Sequence, residues 1–237
     1  MRKAGVRCPV SGVREISHFR APGTEHRTPR NLVSAVVTLI AVAGCEVTAP
    51  NRSDFYAFQL QPENLVFSWP ADRLPVTYFA QSIGALPDYV NRALGLWESQ
   101  FLYGEFEGAL TSDSAAADVR VTIEGGAPPP AALNSDAPVI ACDGSTSAFL
   151  GTGNQLAGPI LIHVRWFAGF QPADIANCLA RVTAHEIGHS LGLFQHSTRT
   201  TDLMFGVPGA REPSVRDRSS VEVLYHTQST LKPADRP

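Results

Sequence analysis

An α+β domain is the architecture to expect, on three observations. Runs rich in β-branched and aromatic residues occur at 74–81, 118–124 and 159–166, and runs of that length and composition read as strands. Apolar residues recur at three- and four-residue steps over 87–101 and again from 172 onward, the period of a helix with one buried face. A last helical segment follows at 214–226, with a capping serine in front. The 237 residues, 44% of them hydrophobic, suit one globular domain with appendages.

Residues 1–30 are basic and irregular, with Pro9, Pro22 and Pro29. The next fourteen, Asn31 to Gly44, carry no charge. That is short of the ~20 needed to span a bilayer as a helix. It fits the apolar core of a secretory signal, with Arg27 and Arg30 as positive flank. Val42-Ala43-Gly44-Cys45 resembles the bacterial lipobox, whose cysteine is lipidated and becomes the new N-terminus. The resemblance implies a signal peptide with an extended basic region over 1–44, lipidation at Cys45, and an exported, membrane-anchored lipoprotein at the cell surface or facing the periplasm. The alternative is an ordinary cleaved signal with an incidental cysteine. Residues 45–71 then read as a lipid-anchored tether, with Phe67 and Trp69 on the domain surface, and the domain proper as 72–226.

Within that domain, Leu74–Gln81 is the first strand. Pro87–Phe101 is an amphipathic helix, with Pro87 in its first turn and Val90, Ala93, Leu94, Trp97 and Phe101 on the core face. Asp118–Glu124 alternates as a half-buried strand. Gly125–Pro138 is a Pro/Gly/Ala loop containing Pro128, Pro129 and Pro130. The segment 146–158 should hold a short strand about Ser147–Leu150, and Pro159–Trp166 another. Pro172 opens a helix with Asp174 as N-cap or first-turn acid. Ile175, Leu179 and Val182 form its buried stripe, which leads to His185. Ser214 caps the closing helix, in which Val221, Leu224 and Tyr225 pack and His226 ends the element. Thr227–Pro237 should fray.

Residues 185–196 read H-E-x-x-H-x-x-G-x-x-H, with His185, Glu186, His189, Gly192 and His196 at the fixed positions. On a helix, His185 and His189 lie one turn apart on the same face, so two imidazole nitrogens can reach one metal at roughly 2.0–2.1 Å. Glu186 flanks that position without needing to bind it. Gly192 can turn the chain at low cost and bring in His196. Three neutral imidazoles leave a fourth zinc position open, the mark of a catalytic site. The bland alternative is a helix with histidines on a polar face.

These residues resemble the metzincin metalloproteases. Met204, one of two methionines in the chain, stands where that clan has its Met-turn, and Ser197 after the third histidine resembles the matrixin branch. The resemblance implies a zincin-like fold: a mixed twisted sheet packed with an N-terminal helix, an active-site helix and a C-terminal helix. It implies one catalytic Zn2+ held by His185, His189 and His196, with Met204 as a hydrophobic floor beneath. Glu186 would serve as general base and acid toward a zinc-held water, so that the chain is a zinc metalloendopeptidase acting on protein or peptide. It further implies an edge strand that pairs with extended substrate, and a pocket wall from Val207, Pro208 and Gly209 for the residue after the cut. Matrixins often have tyrosine after the methionine; here it is Phe205. Their second, structural zinc cannot be built, because His163 is the only histidine between Cys45 and the motif. Zinc latency through a pro-segment cysteine is not expected either. Calcium could be sought near Asp143, but no EF-hand-like run supports it. The competing reading is a surface-anchored, non-catalytic binding protein on a metzincin scaffold.

Charge and cysteines bound the rest. Residues 1–44 carry seven basic and two acidic side chains, the remainder twelve and twenty. An acidic mature region argues against nucleic acid as partner, and a monomer is expected. Outside the cytoplasm, Cys142, in the loop before the cleft, and Cys178, on the histidine-bearing helix, should be bridged. The alternative is two buried free thiols.

Overall fold

The computed structural model describes residues 54–130 and 141–236. The signal segment, Cys45 with its lipobox, and residues 131–138 of the proline-rich loop lie outside them. The described strands are β1 (Val76–Ala80), β2 (Gly108–Thr111), β3 (Val119–Glu124), β4 (Cys142–Ser147) and β5 (Ile160–Trp166). They form one mixed sheet in the order β2-β1-β3-β5-β4. All neighbours are parallel except β4, which runs antiparallel along β5 at the sheet's edge. Among the described residues three α-helices accompany the sheet: α1 (Leu86–Glu98), α2 (Pro172–Ser190) and α3 (Val215–Tyr225). This is the α+β architecture the sequence implied.

Side-chain alternation shows that the sheet is covered on one face. Val119, Val121 and Ile123 of β3 and Ile160, Ile162 and Val164 of β5 are buried, while Thr122, Leu161, His163 and Arg165 between them are exposed. Strands buried on both faces would read as continuous apolar runs. Here α1 and α2 pack against the sheet. Helix α2 is the centre of the core, with every residue from Ile175 to Ser190 buried. Its polar backbone is served from neighbouring elements: the Trp97 indole donates to the Ala184 carbonyl (2.7 Å) and the Trp69 indole to that of Ser190 (2.9 Å). Asp174 lies in the first turn of α2, behind Gln171 as N-cap. Helix α1 stops three residues short of the expected end, yet Phe101 stays buried against Tyr225, ring centroids 4.8 Å apart.

Four expectations need correction. The strand placed at Ser147–Leu150 is instead β4, Cys142–Ser147, and Cys142 begins that strand rather than sitting in a loop. Its sequence, Cys-Asp-Gly-Ser-Thr-Ser, has Thr146 as its one β-former, so pairing with β5 makes the strand rather than local preference. Strand β2, whose sequence is Gly-Ala-Leu-Thr, gave no local signal for the same reason.

The part of the tether described, 54–71, is no tether. Tyr56, Phe58, Leu65, Val66, Phe67 and Trp69 are buried, Phe67 and Trp69 in the core rather than on its surface. Each such side chain contributes about 1.5–3 kcal/mol on burial, enough to hold a short arm in place. The segment after α3 is docked too. Leu231 is buried beside Phe67, Thr230 and Leu231 donate to the Val66 carbonyl, and Arg236 pairs with Asp118 at 2.7 Å. The folded domain therefore takes in residues 54–71 ahead of the expected start at 72 and residues 227–236 beyond the expected end at 226.

Candidate active site

Helix α2 delivers His185 and His189 on one face, and the chain then turns at Gly192, whose φ of +105° suits glycine. A side chain there would also collide with the Phe67 carbonyl of the arm. The turn returns His196 to the same point. The Nδ1 of His185 donates to the Leu203 carbonyl at 2.8 Å, and that of His189 to the Leu193 carbonyl at 2.6 Å. Carbonyls only accept, so both protons sit on Nδ1 and both Nε2 lone pairs point inward. The Nε2 of His189 lies 3.1 Å from that of His185 and 3.2 Å from that of His196. The facing lone pairs of His185 and His189 at 3.1 Å repel unless a cation lies between them. Two ligands at ~2.05 Å with a tetrahedral angle stand about 3.3 Å apart. The three nitrogens thus fit a zinc ion, and they are the one such group of His, Cys, Asp and Glu among the described residues. Burial pushes His185 down to about 4 and His189 to about 3, against the opposing effect of their carbonyl partners. Both are neutral near pH 7, as ligands must be.

The turn bearing Met204 underlies this face. Met204 is fully buried, its sulfur so close to Gly188 of α2 that no side chain fits there. Ser197 donates its N–H to the Met204 carbonyl at 2.7 Å. Two residues unmarked in the sequence hold the turn. Asp217, fully buried in the first turn of α3, accepts from the N–H groups of Leu203 (2.7 Å) and Ser214 (2.8 Å) and from the Tyr56 hydroxyl (2.8 Å). Asp202 accepts from the Ser214 hydroxyl at 2.7 Å and from Arg216 at 3.1 Å, and Arg216 also donates to Ser197 at 2.7 Å. Ser214 with an acid three residues on is a capping-box spacing, the one signal that could have pointed to Asp217.

Glu186 is buried against β4. The Thr146 hydroxyl donates to its Oε2 at 2.7 Å and to its carbonyl at 3.1 Å. A Cβ on Gly144 would lie 2.8 Å from Glu186 Oε1. Positions 144 and 146 share one face of the strand, so the carboxylate is seated between them. Burial raises Glu186 to about 7, with the Thr146 bond opposing. Neither Gly144 nor Thr146 was singled out from sequence. The bridge Cys142–Cys178 is formed and ties the start of β4 to α2. Asp143, where calcium was considered, pairs with Arg165 at 3.1 Å. His163 stands apart on β5, 3.1 Å from Thr122.

The cleft has a half on either side of Glu186. The smaller, about 280 Å³, is lined by Cys142, Gly144, Val182, His185, Val207 and Pro208; Gly209 is not in its wall. The larger, about 520 Å³, runs past Thr146 and Phe149 on one side and Leu60, Phe194 and His196 on the other.

The sequence model of the matrixin family matches residues 83–226. No curated protein matches the chain. Among solved structures the chain is similar to High choriolytic enzyme 1, a hatching enzyme zinc-protease from Oryzias latipes (Medaka fish), with 13% identity and a TM-score of 0.42 over 73% of this chain and 100% of that one. The matrixin match takes in α1, the sheet from β2 onward, all three histidines, Glu186, Met204 and α3, more than half of the sequence. The chain belongs to the matrixin family of metalloproteases and carries a metzincin-like domain.

Proposed function

We propose that the protein is a zinc-dependent metalloendopeptidase, with His185, His189 and His196 as metal ligands and Glu186 as general base and acid. The observation that carries this reading is the convergence of the three histidines, with the tautomers of His185 and His189 set by backbone carbonyls. When bound, zinc supplies a Lewis acid that polarises the substrate carbonyl and lowers the pKa of water toward ~7. The chain's own groups do the rest. Glu186, buried beside the histidines, takes the proton of the attacking water and passes it to the leaving amine. Thr146 holds Glu186 Oε2 as an acceptor, which leaves Oε1 to carry that proton. Among the described residues β4 is the last strand of the sheet, and its outer edge can offer backbone groups to an extended peptide, while Val207 and Pro208 wall the pocket for the residue after the cut.

The test compares the zinc-loaded chain with Glu186→Ala on casein and a peptide library, with and without chelator. Chelator abolishes cleavage by the parent. The variant keeps its zinc and loses about 10²–10⁴-fold in turnover; normal turnover would remove Glu186 from its role. Export and lipid anchoring at Cys45 belong to the same proposal, supported by the lipobox-like run and by a disulfide that suits an oxidising compartment. Palmitate labelling that is lost in Cys45→Ala supports the anchor, and an unlabelled parent rejects it.

A further inference from the structure

The two halves of the cleft share β4, α2 and His196 and differ in their outer walls. The smaller draws on β4, α2 and the segment after Met204. The larger takes one wall from the residues just after β4, where Phe149 is 57% exposed, and the other from Phe194 and Leu60. Leu60 lies ahead of the stretch matched by the family, in the arm that the sequence presented as a tether.

Its position in the cleft is built in several ways. The Phe194 N–H donates to the Phe58 carbonyl at 3.1 Å, and the Gln195 side chain donates to the Gln59 carbonyl at 3.0 Å. The arm is thereby bonded to the loop that carries His196. Leu60 and Leu65 exchange backbone hydrogen bonds of 2.8 and 3.1 Å, which close a small hairpin and turn Leu60 to the cleft. Phe67, at the hairpin's far end, packs its ring 6.1 Å from that of Phe194. Apart from Glu186 and the histidines, no ionisable side chain among the described residues lines this half. An acidic side chain placed against Leu60, Phe149 and Phe194 would lose water without gaining a cationic side chain as partner.

The direction of a bound peptide follows from the edge strand. Among the described residues β4 ends the sheet, running from Cys142 at the smaller pocket to Ser147 at the larger. An added strand is slightly more stable antiparallel than parallel. Such a peptide enters beside Phe149 and Leu60 and leaves beside Cys142 and Val207, so its residues before the cut face the larger half.

We infer that Leu60, with Phe149 and Phe194, forms an apolar subsite that selects substrates with a bulky aliphatic or aromatic side chain within the three residues N-terminal to the cut. The inference rests on the peptidase reading above. The test uses the full zinc-loaded chain and fluorogenic peptides with Ala, Leu, Phe, Asp or Lys scanned through those three positions. The parent should prefer Leu or Phe over Asp at least tenfold in kcat/KM. Leu60→Asp should erase that preference mainly through KM, and Leu60→Met should keep it, with melting temperature and zinc content measured for each. Binding of the same peptides to the Glu186→Gln chain, followed by fluorescence polarisation, gives a second readout that needs no turnover. There Leu60→Asp should weaken the Leu and Phe peptides at least fivefold. A parent indifferent at these positions, or a folded, zinc-replete Leu60→Asp that keeps the preference, overturns the subsite. A parent that cleaves nothing while its Glu186→Gln form binds apolar peptides through Leu60 overturns the peptidase reading and supports the subsite.

Discussion

Thr146 shows how much one hydroxyl can carry in this site. Its donor is shared between Glu186 Oε2 and the Glu186 carbonyl, and Gly144 leaves room for the other carboxylate oxygen. A hydrogen bond to a charged group is worth about 1.5–3 kcal/mol, and 1.4 kcal/mol is about tenfold in rate. Thr146→Val, which keeps the shape and removes the donor, should lower kcat about tenfold with KM little changed. Thr146→Ser should restore most of it. Steady-state kinetics on one peptide, with zinc content checked, decides the point. His185 and His189 were readable because an i, i+4 spacing places side chains together on any helix, and Glu186 and His196 because they hold fixed places in the same motif. Thr146 was not, because it lies 40 residues from Glu186 and meets it only when β4 is laid along α2.

Among the elements, the Met-turn and α3 act as one unit. The Asp217 carboxylate caps α3 and at the same time takes the N–H groups of Leu203 and Ser214. The Leu203 carbonyl then orients His185. Burial and the Asp217 charge push the Tyr56 hydroxyl up, so it stays a donor to that carboxylate. Asp217→Ala leaves these buried donors without an acceptor, at about 1–3 kcal/mol for each. It should destabilise the domain by roughly 3 kcal/mol or more and weaken zinc binding, since a group behind a ligand typically contributes 10–100-fold to metal affinity. Urea denaturation and zinc titration with a competing chelator measure the two effects. The element boundaries fared unevenly in the sequence for a related reason. Helix α3 carries its cap in its own residues, whereas β2 and β4 become strands through the partners they find.

For the domain as a unit, the titrating groups of the site set a pH dependence that metal removal should expose. In the unfolded chain His185 and His189 titrate near ~6.5; folded, burial lowers them to about 4 and about 3. Between those values the unfolded state holds more protons, so stability falls as pH falls. Glu186 opposes this: its folded value of about 7 exceeds its ordinary value, and the folded state holds the extra proton as pH falls from 7 toward that ordinary value. Two histidines outweigh one carboxylate below about pH 6. The metal-free chain should lose on the order of a few kcal/mol between pH 7 and pH 4, read from urea midpoints at pH 7, 5.5 and 4. Stability that held or rose over that range would contradict the buried neutral histidines. The same unit includes the arm from 54 and the tail to 236, both joined through Phe67, Val66 and Leu231.

What could be read from the chain alone was local: the ligand set, the general base, the helix that bears them, Met204, the closing helix with its serine cap, and the alternating strands. Each rests on a period or spacing that any backbone of that type turns into a face or a turn. The packing of distant segments decided the rest. The arm and tail looked like appendages because their apolar residues follow no regular period, yet Phe67, Trp69 and Leu231 find partners in the core. The polar run at 142–147 became the wall of the site because β5 offered it an edge. Leu60 reached the cleft because its neighbours hydrogen-bond to residues roughly 136 positions away, a proximity that no local pattern records.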